Sequence, residues 1–184
     1  MFRIGAAGAI FHFIGRVYIA PDGTGQEAGY FAHIEGIDEP LFSGPPSEQT
    51  AHFTVRSDPF RSQNFQNGDL RATLTSVVNL NLYFNAVPLA DFSDPETFSR
   101  GRLIATFKRV NAMLAAVGPI TTEVFAAELA SSRSFTFKGT TYDLKQLVPH
   151  GFTGFGSASN NPIEGVPGFV VVLPFVGSSL VVGA

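Results

Sequence analysis

The stretch Leu70–Phe84, LRATLTSVVNLNLYF, alternates apolar and polar side chains along most of its length. Leu70, Ala72, Leu74, Val78, Leu80, Leu82 and Phe84 fall on one face, with Ser76 intruding. Arg71, Thr73, Thr75, Asn79, Asn81 and Tyr83 fall on the other, broken by Val77. Successive side chains of a strand point to opposite sides of the sheet, so the pattern predicts one long half-buried strand. Asn67-Gly68 just before it supplies residues suited to the positive φ angles of a tight hairpin turn.

The same period of two recurs outward from this stretch. It predicts strands over 9–20 and 30–37, joined by the turn-rich PDGTGQEAG of 21–29, and a further strand over 49–57. Leu103–Val117 and Thr121–Ser131 flank Gly118-Pro119, a turn signal, and the segments 134–138 and 140–144 flank Gly139. NAMLAAVG and TEVFAAELASS carry enough alanine to read as helix instead. The tail, GFTGFGSAS and then GFVVVLPFVGSSLVVGA, adds two or three strands. Helix is otherwise confined to one turn at SDPETF, where Asp94 is the N-cap and Pro95 the first helical residue.

These elements predict an all-β fold with little helix: one domain over 1–184, an antiparallel β-barrel of about eight strands or a sandwich. Long strands favour the barrel, since closure removes edges that an apolar strand would leave open to other chains. In architecture this resembles the small calycin-like barrels of the lipocalin kind and those of the allene oxide cyclase kind. The tryptophan typical of the lipocalin first strand has no counterpart in a chain without tryptophan. No family follows from a likeness of architecture alone.

Composition narrows the chemistry. Charged residues make up 15% and hydrophobic ones 45%, enough apolar surface for a full core in 184 residues. Nineteen phenylalanines have no polar handle and must be buried in a core, an interface or a pocket. The net charge of −3 gives no general attraction to nucleic acid. The densest basic group, Arg100, Arg102, Lys108 and Arg109, reads as a solvated strand edge. The absence of cysteine removes disulfides, thiolate metal sites and cysteine nucleophiles, and suits a reducing cytoplasm, the expected location. The N-terminal MFRIGAAGAIFHFIGRVYIA is interrupted by His12 and Arg16. It reads as mature structure, neither leader nor membrane span.

Recognisable motifs are few. GTGQEAG precedes a strand where a phosphate loop would open a helix. Asp91, Asp94 and Glu96 do not match a calcium loop, and GFGSASN is no nucleophile elbow. His12, His33, His52 and His150 form no metal motif, so no metal or cofactor is expected. His12, His33 and His52 lie in or beside the first three predicted strands and meet in space only if those strands pair in suitable register.

The remaining candidate is GYFAHIEGI, 29–37. His33 and Glu35 are two apart on one strand and so share a face, with Phe31 and Ile37. Facing inward, a carboxylate among aromatic rings would have its pKa raised toward neutrality. Facing outward, the pair is an exposed stripe and Tyr30 points in. The candidate catalytic set is His33, Glu35, Tyr30 and Tyr83, and the candidate ligand-binding set is Phe11, Phe13, Phe53, Phe84 and Phe107. The functions in view are a cofactor-independent isomerase or cyclase acting on an apolar small molecule, a carrier of such a molecule, and a homo-oligomeric assembly subunit. An outer-membrane barrel is a fourth, disfavoured because girdle tryptophans are missing.

Overall fold

The computed structural model describes residues 9–181. The reading of the first eight residues as mature structure lies outside them. Twelve strands form: β1 (Ala9–Ile19), β2 (Gly25–Ile34), β3 (Phe53–Ser57), β4 (Ser62–Asn67), β5 (Leu70–Thr75), β6 (Val78–Phe84), β7 (Arg102–Val117), β8 (Ile120–Ser132), β9 (Phe135–Phe137), β10 (Thr140–Tyr142), β11 (Phe152–Ser159) and β12 (Val171–Val181). Eight of them close an antiparallel barrel in the order β7-β6-β3-β2-β1-β12-β11-β8, with β8 pairing back onto β7. β4 and β5 form a hairpin that extends the sheet along the second half of β7. NAMLAAVG and TEVFAAELASS are strand, because each completes a ladder with its neighbours. The single turn at Pro95–Ser99 is 3₁₀, and the Asp94 carboxylate accepts from the Glu96 N–H as its cap. Two other short helices occur among the described residues, a 3₁₀ turn at Glu48–Thr50 and α1 (Leu144–Leu147), which follows β10.

The stretch 70–84 departs from its predicted reading in an instructive way. It is two strands, broken at Ser76-Val77. Leu80 lies opposite Phe107 and faces the core, whereas Leu74 lies opposite Met113 and faces outward. β7 makes the matching change, with a register shift between Arg109 and Asn111 on its β8 side. One extra residue in a ladder reverses the face of everything beyond it. Hence Leu82, Leu80 and Val78 are core, while Leu70 and Leu74 are about half exposed. The turn is Gly68-Asp69, one residue later than expected, with Gly68 alone at positive φ (63°). That is the pattern of a II′ hairpin.

The interior is filled by rings seated over glycines. Gly15 lies directly opposite Phe175, Gly177 opposite Phe13, Gly154 opposite Phe125 and Gly25 opposite Phe60. A Cβ at Gly15 would stand 2.5 Å from the Phe175 ring, and one at Gly25 would stand 2.7 Å from that of Phe60. An eight-stranded barrel is just wide enough for side chains or one small ligand, so a ring on one strand needs a bare backbone opposite it. Four of the nineteen phenylalanines and four of the nineteen glycines are matched in this way, while eight other glycines among the described residues take positive φ.

One end is closed by the β9–β10 hairpin, whose Phe135 and Phe137 pack on Phe53 and Phe84. Outside the barrel, residues of the long loops cover β1 and β2: Phe42, Phe92, Phe98 and Val166 pack with Tyr18 and Tyr30. Among the described residues no helix is long and apolar enough to cross a membrane.

Candidate functional site

Three side chains from three strands meet inside the barrel. Arg109 on β7, with 1% of its side chain exposed, donates from Nη1 to Glu27 on β2 at 2.7 Å and to Glu123 on β8 at 3.4 Å. Glu27 and Glu123 are the polar residues lining a cavity of about 40 Å³. Its other walls are apolar, with six phenylalanines: Phe11, Phe13, Phe31, Phe125, Phe152 and Phe175. The guanidinium carbon stands 5.3 Å from the Phe60 ring centre and 5.8 Å from that of Phe125, within reach of both π-faces. Arg109 Nε and Nη2 are buried and find no acceptor in the protein.

Alternation explains how these residues come to face inward. Glu123 shares a strand face with Phe125 and Ala127, and Arg109 lies two residues beyond the fully buried Phe107. Arg109 therefore corrects the reading of the basic group 100–109 as a solvated edge, for it is the largest of the fully buried side chains.

Burial first, then the neighbouring Glu27 charge, push Glu123 up to about 7, partly offset by Arg109. The two carboxylates hold Arg109 above its already high pKa despite burial. The cluster therefore combines a permanent cation, a carboxylate and a carboxyl that titrates near neutrality.

The sequence candidates are dispersed. A bulge on β2 between the pairs His12–His33 and Phe13–Phe31 leaves Ala32 unpaired. Phe31 and Ile34 both face the core, and His33 faces out. His33 Nε2 and Glu35 Oε2 are 3.2 Å apart, with side chains 44% and 66% exposed. The alternative in which Tyr30 would point in when His33 points out also fails, because the same bulge turns both outward. Tyr30 packs under the loops against Phe42 and Phe92. Tyr83 lies opposite Thr54 on the outer face, near Arg56 and Asp58. Burial raises the pKa of both phenols.

Of the ligand-binding candidates, Phe11 and Phe13 line the cavity, while Phe107 packs behind it on Phe11 and Phe152. Phe53 and Phe84 lie under the β9–β10 hairpin instead. His12 meets His33, ring centres 5.5 Å apart, and its Nδ1 is 2.6 Å from Ser178 Oγ. His52 is elsewhere, 2.8 Å from the Asn85 carbonyl. Among the described residues no three acidic or histidine side chains are grouped to hold a metal.

Comparison with protein-family models, with curated proteins and with solved structures finds no match.

Proposed function

We propose that the barrel interior binds a small apolar molecule and that Glu123 moves a proton on it, as a cofactor-independent isomerase or cyclase would. The observation that carries this reading is the cavity itself, in which two glutamates, both held by the buried Arg109, meet walls of aromatic rings. A carboxyl group poised near neutrality can both donate and accept a proton at working pH. The cavity is far below the ~300–1,000 Å³ of a drug-sized pocket and below the ~150 Å³ that takes benzene, so the ligand has only a few heavy atoms and no six-membered ring.

Native mass spectrometry of protein purified without detergent should show a retained small mass. Incubated in D₂O, that ligand should take up deuterium at carbon with the wild type and not with Glu123→Gln. A chain with no retained mass and no uptake of hydrocarbons of a few carbons would sink the reading.

A second reading, compatible with the first, rests on the outer wall opposite the loops. We infer that a second copy of the chain covers it. Phe65, Leu74, Met113, Val124, Phe155 and Val176 are each 44–57% exposed on one face running across β4, β5, β7, β8, β11 and β12. No charged side chain stands in the rows that join them, and β4 leaves its outer edge unpaired and without charge. Monomers rarely expose apolar patches beyond a few hundred Å², and six half-exposed side chains of this size supply more than half of the ~800 Å² a stable dimer covers per partner. Light scattering should give a multiple of the chain mass, and Met113→Glu with Val124→Glu should reduce it to one chain.

A further inference from the structure

The barrel carries a strand edge that it does not close. β4 ends the sheet, and among the described residues no strand pairs with its outer side. Its ladder with β5 runs without a register shift from Ser62–Thr75 to Asn67–Leu70. Just beyond the first pair, the Ser76 N–H donates to the Arg61 carbonyl at 2.8 Å. Hydrogen-bonded and non-bonded pairs alternate along an antiparallel ladder. Gln63, Phe65 and Asn67 therefore bond to β5, whereas Ser62, Asn64 and Gln66 turn their N–H and C=O groups to the free edge.

Proteins guard such edges with lysine, proline, a bulge or a covering loop. SQNFQN has no charge and no proline, its ladder is regular, and all six residues are exposed. The edge is also complementary to itself. A two-fold axis at Asn64 sets Ser62 against Gln66 of a second copy and Asn64 against its own counterpart, so every outward N–H meets a carbonyl. With no charge on the strand, the two copies meet without repulsion.

That axis stands normal to the sheet, so Phe65 of both copies stays on the apolar outer face. The pairing lengthens this face and does not cover it. One copy cannot both extend the sheet and lie over its face, so the two contacts engage different copies. Two face-paired dimers meeting edge to edge close into a D2 tetramer, and both edge contacts form at once.

Resting on the reading of the outer face above, we propose that the chain assembles as a tetramer in which face-paired dimers join through antiparallel β4–β4 pairs centred on Asn64. Edge hydrogen bonds replace bonds to water and gain little net, so a single edge contact does not hold two chains, whereas two formed together do. Breaking the face therefore leaves single chains, and breaking the edge leaves dimers.

Light scattering on the purified chain should give four chain masses. Asn64→Pro removes an outward N–H and keeps the ladder to β5, since proline is tolerated at such an edge position. It should give two masses. Asn64→Ala loses the same side chain, with its bond to Thr73, but keeps the N–H, and should give four. A fall to two with alanine as well would overturn backbone pairing. Two masses in the wild type, unchanged by Asn64→Pro, would overturn the edge contact and leave the face reading standing. A single mass in the wild type overturns both.

Hydrogen exchange on the wild type alone covers a proline variant that does not fold. The Asn64 and Gln66 amides, open to water in the single chain, should exchange at least about tenfold more slowly than in an unstructured peptide. Exchange at the peptide rate overturns the edge contact.

Discussion

Two clusters of ionisable side chains sit on opposite sides of the same wall. Arg109, Glu27 and Glu123 lie inside the barrel, whereas His12, His33 and Glu35 lie outside. The inner cluster is shut among phenylalanine rings, and its protonation is displaced toward neutrality. The outer pair is roughly half exposed, so water screens it. Inside, burial and the neighbouring Glu27 charge shift Glu123, and a single bulge at Ala32 decides on which side of the wall His33 falls.

The largest expected effect breaks the inner cluster. Arg109→Met leaves Glu27 beside Glu123 with no cation between them, and removing one partner of a buried pair costs ~3–5 kcal/mol. Denaturant unfolding should report a loss of that size. Adding Glu27→Gln removes the orphaned charge and should restore most of it. If the single variant loses less than ~1 kcal/mol, the inner cluster is no better insulated than the outer one.

The next effect sharpens the contrast through pH. Glu123 has its pKa raised from 4.5 to about 7 in the fold. Between these values the folded chain holds a proton that the unfolded chain releases, so stability falls as pH rises through that window. Each displaced unit is worth about 1.4 kcal/mol at most, giving a decline on the order of 1–3 kcal/mol. Glu123→Gln cannot ionise, and its unfolding free energy should lack that decline. Parallel slopes for variant and wild type between pH 5 and 7 would assign the titration elsewhere.

How much of this was legible beforehand follows from how far apart the determinants lie. Alternation along 9–19, 102–117 and 120–132 is a local property, and so the strands, the Gly118-Pro119 hairpin and the Asp94 cap could be read directly. The faces could not. The break at Ser76-Val77 left only a faint mark, a serine on the apolar face and a valine on the polar one, so Leu70–Phe84 reads as continuous while its halves face opposite ways. The inner cluster draws on positions 27, 109 and 123, which only barrel closure brings together. A local trace existed: Glu123 interrupts the otherwise apolar face of Phe125, Ala127 and Leu129, as an inward carboxylate must. The matching of rings to glycines was hidden too, because each ring and its glycine lie on different strands.

The smallest expected effect belongs to the outer pair. His33 lies at the end of β2 and Glu35 in the turn that follows it, both exposed, and pairs of this kind contribute ~0.2–1 kcal/mol, less as salt rises. A double-mutant cycle of His33→Ala and Glu35→Gln should give a coupling below about 0.5 kcal/mol. The cavity lies on the far side of the wall and is lined by neither residue, so ligand retention should match the wild type. If the variants keep wild-type stability yet lose the retained ligand or its deuterium uptake, the chemistry resides on the outer face. The inner cluster would then be a device of stability alone. Burial argues the other way: a proton donor open to water exchanges with solvent, whereas one enclosed by rings can deliver its proton to the molecule beside it.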